Sequence, residues 1–200
     1  MTNVPLIFQP LARYADFNGR SRRSEFWLWV LFCYILKSAI ATIAVTVMFS
    51  TMMPAFTTPP ADPQVFMRHY FSGWMTMMPL LSLVNLALLI PSLAVGVRRL
   101  HDIGRTGWWL IMPHVVALIG ICAFMVFFGT QIFSLAGTKE MTDEQGIKFA
   151  FGMFGSLFLF VVLPALIAWI VMLVFFVTEG KRGPNRFGPD PKGEALNDTP

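Results

Sequence analysis

Residues 71–97 read FSGWMTMMPLLSLVNLALLIPSLAVGV, a run without one charged side chain. A transmembrane helix needs about 20 predominantly apolar residues to cross roughly 30 Å of hydrocarbon, whereas buried strands of soluble sheets end after roughly 4–8. The run therefore predicts a span over about residues 74–97. Working outward, residues 107–137 and 149–178 are equally uncharged, and residues 26–53 are interrupted only by Lys37. These predict spans over about 26–50, 107–133 and 150–178. The alternation of outer-membrane barrel strands is missing. The expectation is an all-α, polytopic integral membrane protein: a four-transmembrane-helix bundle in residues 26–178, between an amino-terminal segment (1–25) and a tail (179–200).

Composition points the same way. Of 200 residues, 56% are hydrophobic and 13% charged, and the mean hydropathy is +0.63. Soluble domains run at about 45–50% apolar and about 25% charged. A soluble enzyme, a disulfide-stapled secreted module and a nucleic-acid-binding domain are excluded on this ground. The net charge of +4 is instead read as topology and contact with lipid.

Lys and Arg fall mostly on one side of the predicted spans. Arg13, Arg20, Arg22 and Arg23 precede the first, Arg98, Arg99 and Arg105 join the second to the third, and Lys181, Arg182, Arg186 and Lys192 follow the fourth. The opposite side holds Arg68, Lys139 and Lys148. Positive residues stay inside, so both termini are expected to be cytoplasmic. Trp27, Trp29, Trp108 and Trp109 fall at that same interface, where indole rings favour the headgroup boundary. On the other side, Pro54, Pro59, Pro60 and Pro63 predict a loop, and the Thr142 to Gln145 spacing predicts a capping box opening the fourth helix. The residues before Phe26 lack an apolar core, so the first span is expected to act as its own insertion signal. Within that segment, Ile7 to Phe17 has the apolar spacing of a short interfacial helix, with Pro10 near its start. Pro113 and Pro164 are expected to kink or break the later helices.

Three segments are denser in Arg, Gly, acidic and aromatic residues than topology requires: residues 16–29 (DFNGRSRRSEFWLW), 98–109 (RRLHDIGRTGWW) and 183–191 (GPNRFGPDP). All lie on the predicted cytoplasmic side. Together they resemble the signature segments of the bacterial inner-membrane family called domain of unknown function 805. The shared features are a Gly-Arg-x-Arg-Arg-x-Glu-aromatic-Trp entry, an Arg-Arg-Leu-His-Asp loop closing on Trp-Trp, and an Asn-Arg-Phe-Gly-Pro-Asp-Pro tail. The resemblance implies a small multi-pass protein of the bacterial inner (plasma) membrane and brings no activity with it. More compact members have fewer apolar residues between the Trp-Trp pair and the tail motif, where this chain carries two full-length stretches.

Read as chemistry, the segments set the guanidinium groups of Arg20, Arg22, Arg23, Arg98, Arg99, Arg105 and Arg186 against the fewer carboxylates of Asp16, Glu25, Asp102 and Asp190. Pairing within the set cannot neutralise every guanidinium. One reading is a clamp, in which Arg–carboxylate forks and Trp anchors tie the helix ends together. The other is a pocket for a phosphate-bearing ligand, most simply an anionic lipid headgroup, flanked by Trp108 and Trp109. The candidate residues for either are Arg20, Arg22, Arg23, Glu25, Trp27, Arg98, Arg99, His101, Asp102, Arg105, Trp108, Trp109, Asn185, Arg186 and Asp190. His101 beside Asp102 suggests a general base in a membrane-embedded enzyme, but adjacent side chains point different ways and no nucleophile at a useful spacing completes a site. No metal-ligand set or cofactor motif is present, so neither metal nor cofactor is expected.

Lys37 is the one ionisable residue well inside a predicted span, at a depth similar to that of Asn85 on the next. Lys37 reads as a side chain that snorkels or makes one structural contact, a hydrogen bond to Asn85 being the concrete candidate, and a small-solute transporter or channel would use this pair. Cys33 and Cys122 lie in apolar stretches and read as filler. Gly152 and Gly155 read as points of close helix approach. The expectation for function is a non-enzymatic membrane component. It binds membrane lipid, with an anionic headgroup favoured, or else a membrane-protein partner or a second copy of itself; nucleic acid is not expected.

Overall fold

A computed structural model describes residues 4–57, 63–135 and 142–193. Pro59, Pro60 and Lys139 lie outside these. The elements, in order, are a 3-10 turn (Leu6–Phe8), α1 (Gln9–Ala12), α2 (Arg23–Thr57), α3 (Pro63–Asp102), a 3-10 turn (Gly107–Ile111), α4 (Met112–Leu135), α5 (Asp143–Leu157), a π turn (Phe158–Val162) and α6 (Leu163–Val177). Among the described residues, four helical stretches are long and apolar enough to cross a membrane: Arg23–Ser50, Met77–Asp102, Gly107–Ser134 and Asp143–Val177. The fold is all-helical, with α5, the π turn and α6 continuous as the fourth span.

The chain forms two hairpins. α2 packs along α3, antiparallel because Glu25 at the start of α2 meets Arg98 near the end of α3. α4 packs against α5, the π turn and α6, and α3 touches α6. The buried core gathers where the hairpins meet, around Phe26, Trp29, Cys33, Leu88, Val95, Leu100, Met172 and Phe176. Away from it the helices are apolar on their outer faces too, with Tyr34, Leu83, Phe133 and Phe151 among many large side chains left exposed. In water that surface would be a liability; in lipid it costs nothing, and helices hydrophobic all round are the form a membrane selects.

Proline acts here by removing donors. Pro91 lies inside α3 and cannot donate to the Ala87 carbonyl; the Tyr14 hydroxyl donates to that oxygen instead, at 2.7 Å. Pro164 similarly leaves the Phe160 carbonyl without its α-helical partner, and the helix widens into the π turn immediately before it. That carbonyl lies against Gly120 of α4, so closely that a Cβ on residue 120 would overlap its oxygen. Gly120 is thus the glycine that permits close helix approach. Gly152 and Gly155, expected in that role, face open space.

Other local expectations divide. The capping box is present: the Gln145 N–H donates to Thr142 Oγ1 at 3.3 Å and the Thr142 N–H to Gln145 Oε1 at 3.1 Å. The amino-terminal helix is shorter than its spacing suggests. It ends at Ala12, and Phe8 sets its ring edge-on against Phe32 of α2. Pro54 is inside α2 and Pro63 opens α3, so helix extends into the segment read as a Pro-rich loop.

Candidate functional site

The three Arg-rich segments come together at one end of the bundle, and Arg98 and Arg99 sit at the centre with no exposed surface. Helical geometry sends these neighbours to different partners. Arg98 turns to the amino-terminal segment: Nε donates to Ser21 Oγ (3.0 Å), Nη2 to Glu25 (3.1 Å) and Nη1 to the Asp16 and Arg13 carbonyls. Arg99 turns to the end of α6, where Nε donates to the Phe176 carbonyl (3.2 Å) and Nη2 to that of Thr178. Its Nη1 reaches Asp102 Oδ2 at 2.6 Å, one turn along α3. Arg23 adds a bond to the Val177 carbonyl at 3.3 Å. The last carbonyls of a helix lack intrahelical donors and carry the negative end of its dipole. Here two arginines from other helices cap three consecutive ones.

Asp102 is the hub. Besides Arg99 it accepts from Arg20 Nε at 2.9 Å, and Arg20 extends further to the Gly183 and Lys181 carbonyls of the tail. The Lys181 N–H donates back to the Asp102 carbonyl at 3.0 Å, and the Ser21 N–H to the Arg98 carbonyl at 3.1 Å. The tail passes so near that a Cβ on Gly180 would overlap Asp102 Oδ2. Among the described residues, no buried side-chain nitrogen or oxygen lacks a hydrogen-bond partner.

The tail is a set of turns fastened onto this cluster. Gly183 and Gly188 take positive φ (77° and 142°), which glycine adopts without strain. Asn185 Nδ2 donates to the His101 carbonyl at 3.0 Å, and Phe187 stacks on the His101 ring at 3.9 Å between centroids. Arg22 reaches the Pro191 carbonyl. Asp190 accepts the Lys192 and Gly183 N–H groups, which hold its pKa below the usual carboxylate value. Lys192, through its hydrogen bond, and Arg23 lower that of Glu179. The His101 ring nitrogen Nδ1 faces the Gly19 carbonyl at 3.2 Å while Asp102 faces Arg20 and Arg99, so the two side chains do not form a dyad.

The comparisons with known proteins agree with this reading of the segments. The family described as Protein of unknown function (DUF805) matches residues 14–189, which includes the first two segments whole and the third as far as Pro189. The chain belongs to this family. It is similar to Inner membrane protein YhaI of Escherichia coli (strain K12), 27% identical over 183 residues, 91% of each chain. It is also similar to Inner membrane protein YhaH of the same strain, 24% identical over 185 residues, 92% of this chain and 93% of the relative. No solved structure matches. This member of the DUF805 family is a multi-pass protein of the bacterial inner membrane.

Within the family segments, most of the candidate residues meet in one network: Arg20, Arg22, Arg23, Glu25, Arg98, Arg99, His101, Asp102, Asn185 and Asp190. Others stand apart. Arg105 lies over the Trp109 and Phe175 rings, at 5.3 and 5.1 Å from their centroids, and Arg186 over Phe187 at 4.6 Å. Trp27 packs edge-on against Phe26, and Trp108 is 77% exposed. Trp29 is no interfacial anchor; it is buried in the core, its Nε1–H donating to Ser92 Oγ at 3.0 Å. Lys37 and Asn85 are not joined by a hydrogen bond; the Asn85 amide N–H donates instead to the Leu81 carbonyl of its own helix at 2.8 Å. Ser21, Gly180 and Phe187 belong to the network without having been singled out. Ser21 and Phe187 lie inside the quoted motifs, and only the fold shows what they touch.

Proposed function

We propose that this protein is a non-enzymatic inner-membrane component with both termini in the cytoplasm, and that it binds an anionic phospholipid headgroup at its Arg-rich end. The observation that carries the reading is the division of cations there into two kinds. Arg20, Arg98 and Arg99 are committed to internal acceptors. Beside them a cavity of about 310 Å³ is lined by Arg22, Lys181, Arg182 and Lys192. The Lys181 and Arg182 side chains make no hydrogen bond or ion pair among the described residues, while the carboxylates on the same wall are occupied: Asp102 by Arg20 and Arg99, Glu179 by Lys192 and Arg23, Asp190 by backbone N–H groups. A rim with unneutralised cations next to a bilayer favours a phosphate. Exposed Trp108 suits the same interface, and the excess of Lys and Arg at this end supports its cytoplasmic placement.

The separation of roles decides which variant to make. Arg98→Ala or Arg99→Ala would strip the clamp and test folding. Lys181→Ala with Arg182→Ala leaves it intact. Native mass spectrometry of protein released gently from its membrane should show anionic phospholipid on the wild type, reduced at least fivefold in the double variant at unchanged melting temperature. Undiminished lipid, or equal retention of zwitterionic lipid, overturns the proposal. Loss of a copurifying protein with lipid unaffected overturns it too, in favour of a protein-docking face.

A further inference from the structure

A second cavity, of about 430 Å³, lies inside the membrane layer where the two hairpins meet. One face of α2 supplies Trp29, Cys33, Tyr34 and Lys37, and α4 and α6 close it with His114 and Trp169. The His114 and Trp169 rings meet edge to face at 6.0 Å. Its size is that of an ordinary small-ligand site, and such sites combine apolar walls with a few placed polar groups. Exposed Tyr34 (69%) and Trp169 (54%) leave it open sideways toward lipid.

Its chemistry is unbalanced. Lys37 lies roughly 20 Å along α2 from the start at Arg23, deep in the hydrocarbon. It makes no hydrogen bond or ion pair among the described residues, and no Asp or Glu lines the cavity. Ser92 is not its partner: its Oγ accepts from Trp29 and its O–H goes to the Leu88 carbonyl. A lysine amine in hydrocarbon is costly unless paired, and such residues mark ligand or ion sites. The missing partner is an anion with an apolar body that arrives through the bilayer.

We infer that this cavity binds a long-chain carboxylate from the membrane, its carboxylate paired with Lys37 and its chain along the aromatic walls. The site is separate from the proposed headgroup rim and does not depend on it. The test uses the full chain in lipid discs, titrated with palmitate, hexadecanol and a short-tailed quinone and read by native mass spectrometry. Palmitate should bind the wild type at least tenfold more tightly than hexadecanol. Lys37→Met should weaken palmitate at least tenfold, Lys37→Arg should hold it within about twofold, and Lys148→Met, which removes an exposed cation elsewhere, should change nothing. Equal binding of palmitate and hexadecanol by the wild type overturns the inference whether or not the variants fold. So does undiminished palmitate binding by a folded Lys37→Met protein. Tighter binding of the quinone than of palmitate also overturns it, assigning the cavity to a neutral carbonyl ligand.

Discussion

At the Arg-rich end, polar groups reach across the chain: Arg20 to the tail, Arg98 to the amino-terminal segment, Arg99 to the end of α6. Farther along the helices, several of the described bonds stay within one element. Thr42, Thr46 and Thr57 each donate to the carbonyl four residues back in α2, and the Glu144–Lys148 pair lies within α5 with both side chains about three-quarters exposed. Among the bonds named here, those that join one element to another gather at the first end. Lipid tails give helices little reason to prefer each other over solvent, so packing and polar bonds must carry association. The Arg-rich end is therefore where polar bonds fasten α2, α3 and α6 to one another and to the flanking segments.

The sharpest way to break the contrast is to remove the hub. Asp102→Ala leaves Arg20 and Arg99 without their carboxylate in a buried site, a change that typically costs about 3–5 kcal/mol. A large fall in melting temperature in detergent is expected, with the tail becoming sensitive to protease. Next comes Gly120→Val, which drives side-chain atoms into the Phe160 carbonyl and should cost about 1–3 kcal/mol by overpacking; Gly152→Ala, facing open space, should leave the melt unchanged or raised. Tyr14→Phe removes the donor to the Ala87 carbonyl beside Pro91, for a loss of about 1 kcal/mol. Glu144→Gln at the far end should stay below about 1 kcal/mol.

Acid sharpens the comparison from another side. Glu179 and Asp190 titrate below their ordinary values when the tail is docked. A depressed folded pKa gives stability that is full above the unfolded value, near pH 4, and is lost as pH falls through the folded one. These two carboxylates should therefore make proteolysis of the tail accelerate as pH falls below the usual carboxylate range.

The spans were legible because a long uncharged run has few other uses, and the capping box because Thr142 and Gln145 carry its chemistry in their side chains. The meeting of the three segments was legible in outline from their shared composition. What satisfies the guanidinium groups was not. Counting carboxylates leaves arginines over, whereas the structure gives them the carbonyls of residues 176–178, 181, 183 and 191, and a backbone oxygen has no letter in a sequence. Trp27 and Trp29 look alike on paper, and only the face of α2 that packs on Ser92 separates them. Gly120 is distinguished from Gly152 and Gly155 by a carbonyl on another helix that Pro164 deprives of its donor. Tyr14 and Pro91 are likewise linked only by the fold.

Hydrogen exchange of the wild type and Asp102→Ala in lipid discs tests most directly whether the three segments form one fastening. The account predicts that exchange accelerates together around Ser21, at the end of α6 near Thr178 and through the tail from Lys181 to Asn185, while residues 42–50 of α2 keep their wild-type rates. Acceleration confined to the end of α3, with the amino-terminal segment and tail still protected, would contradict it.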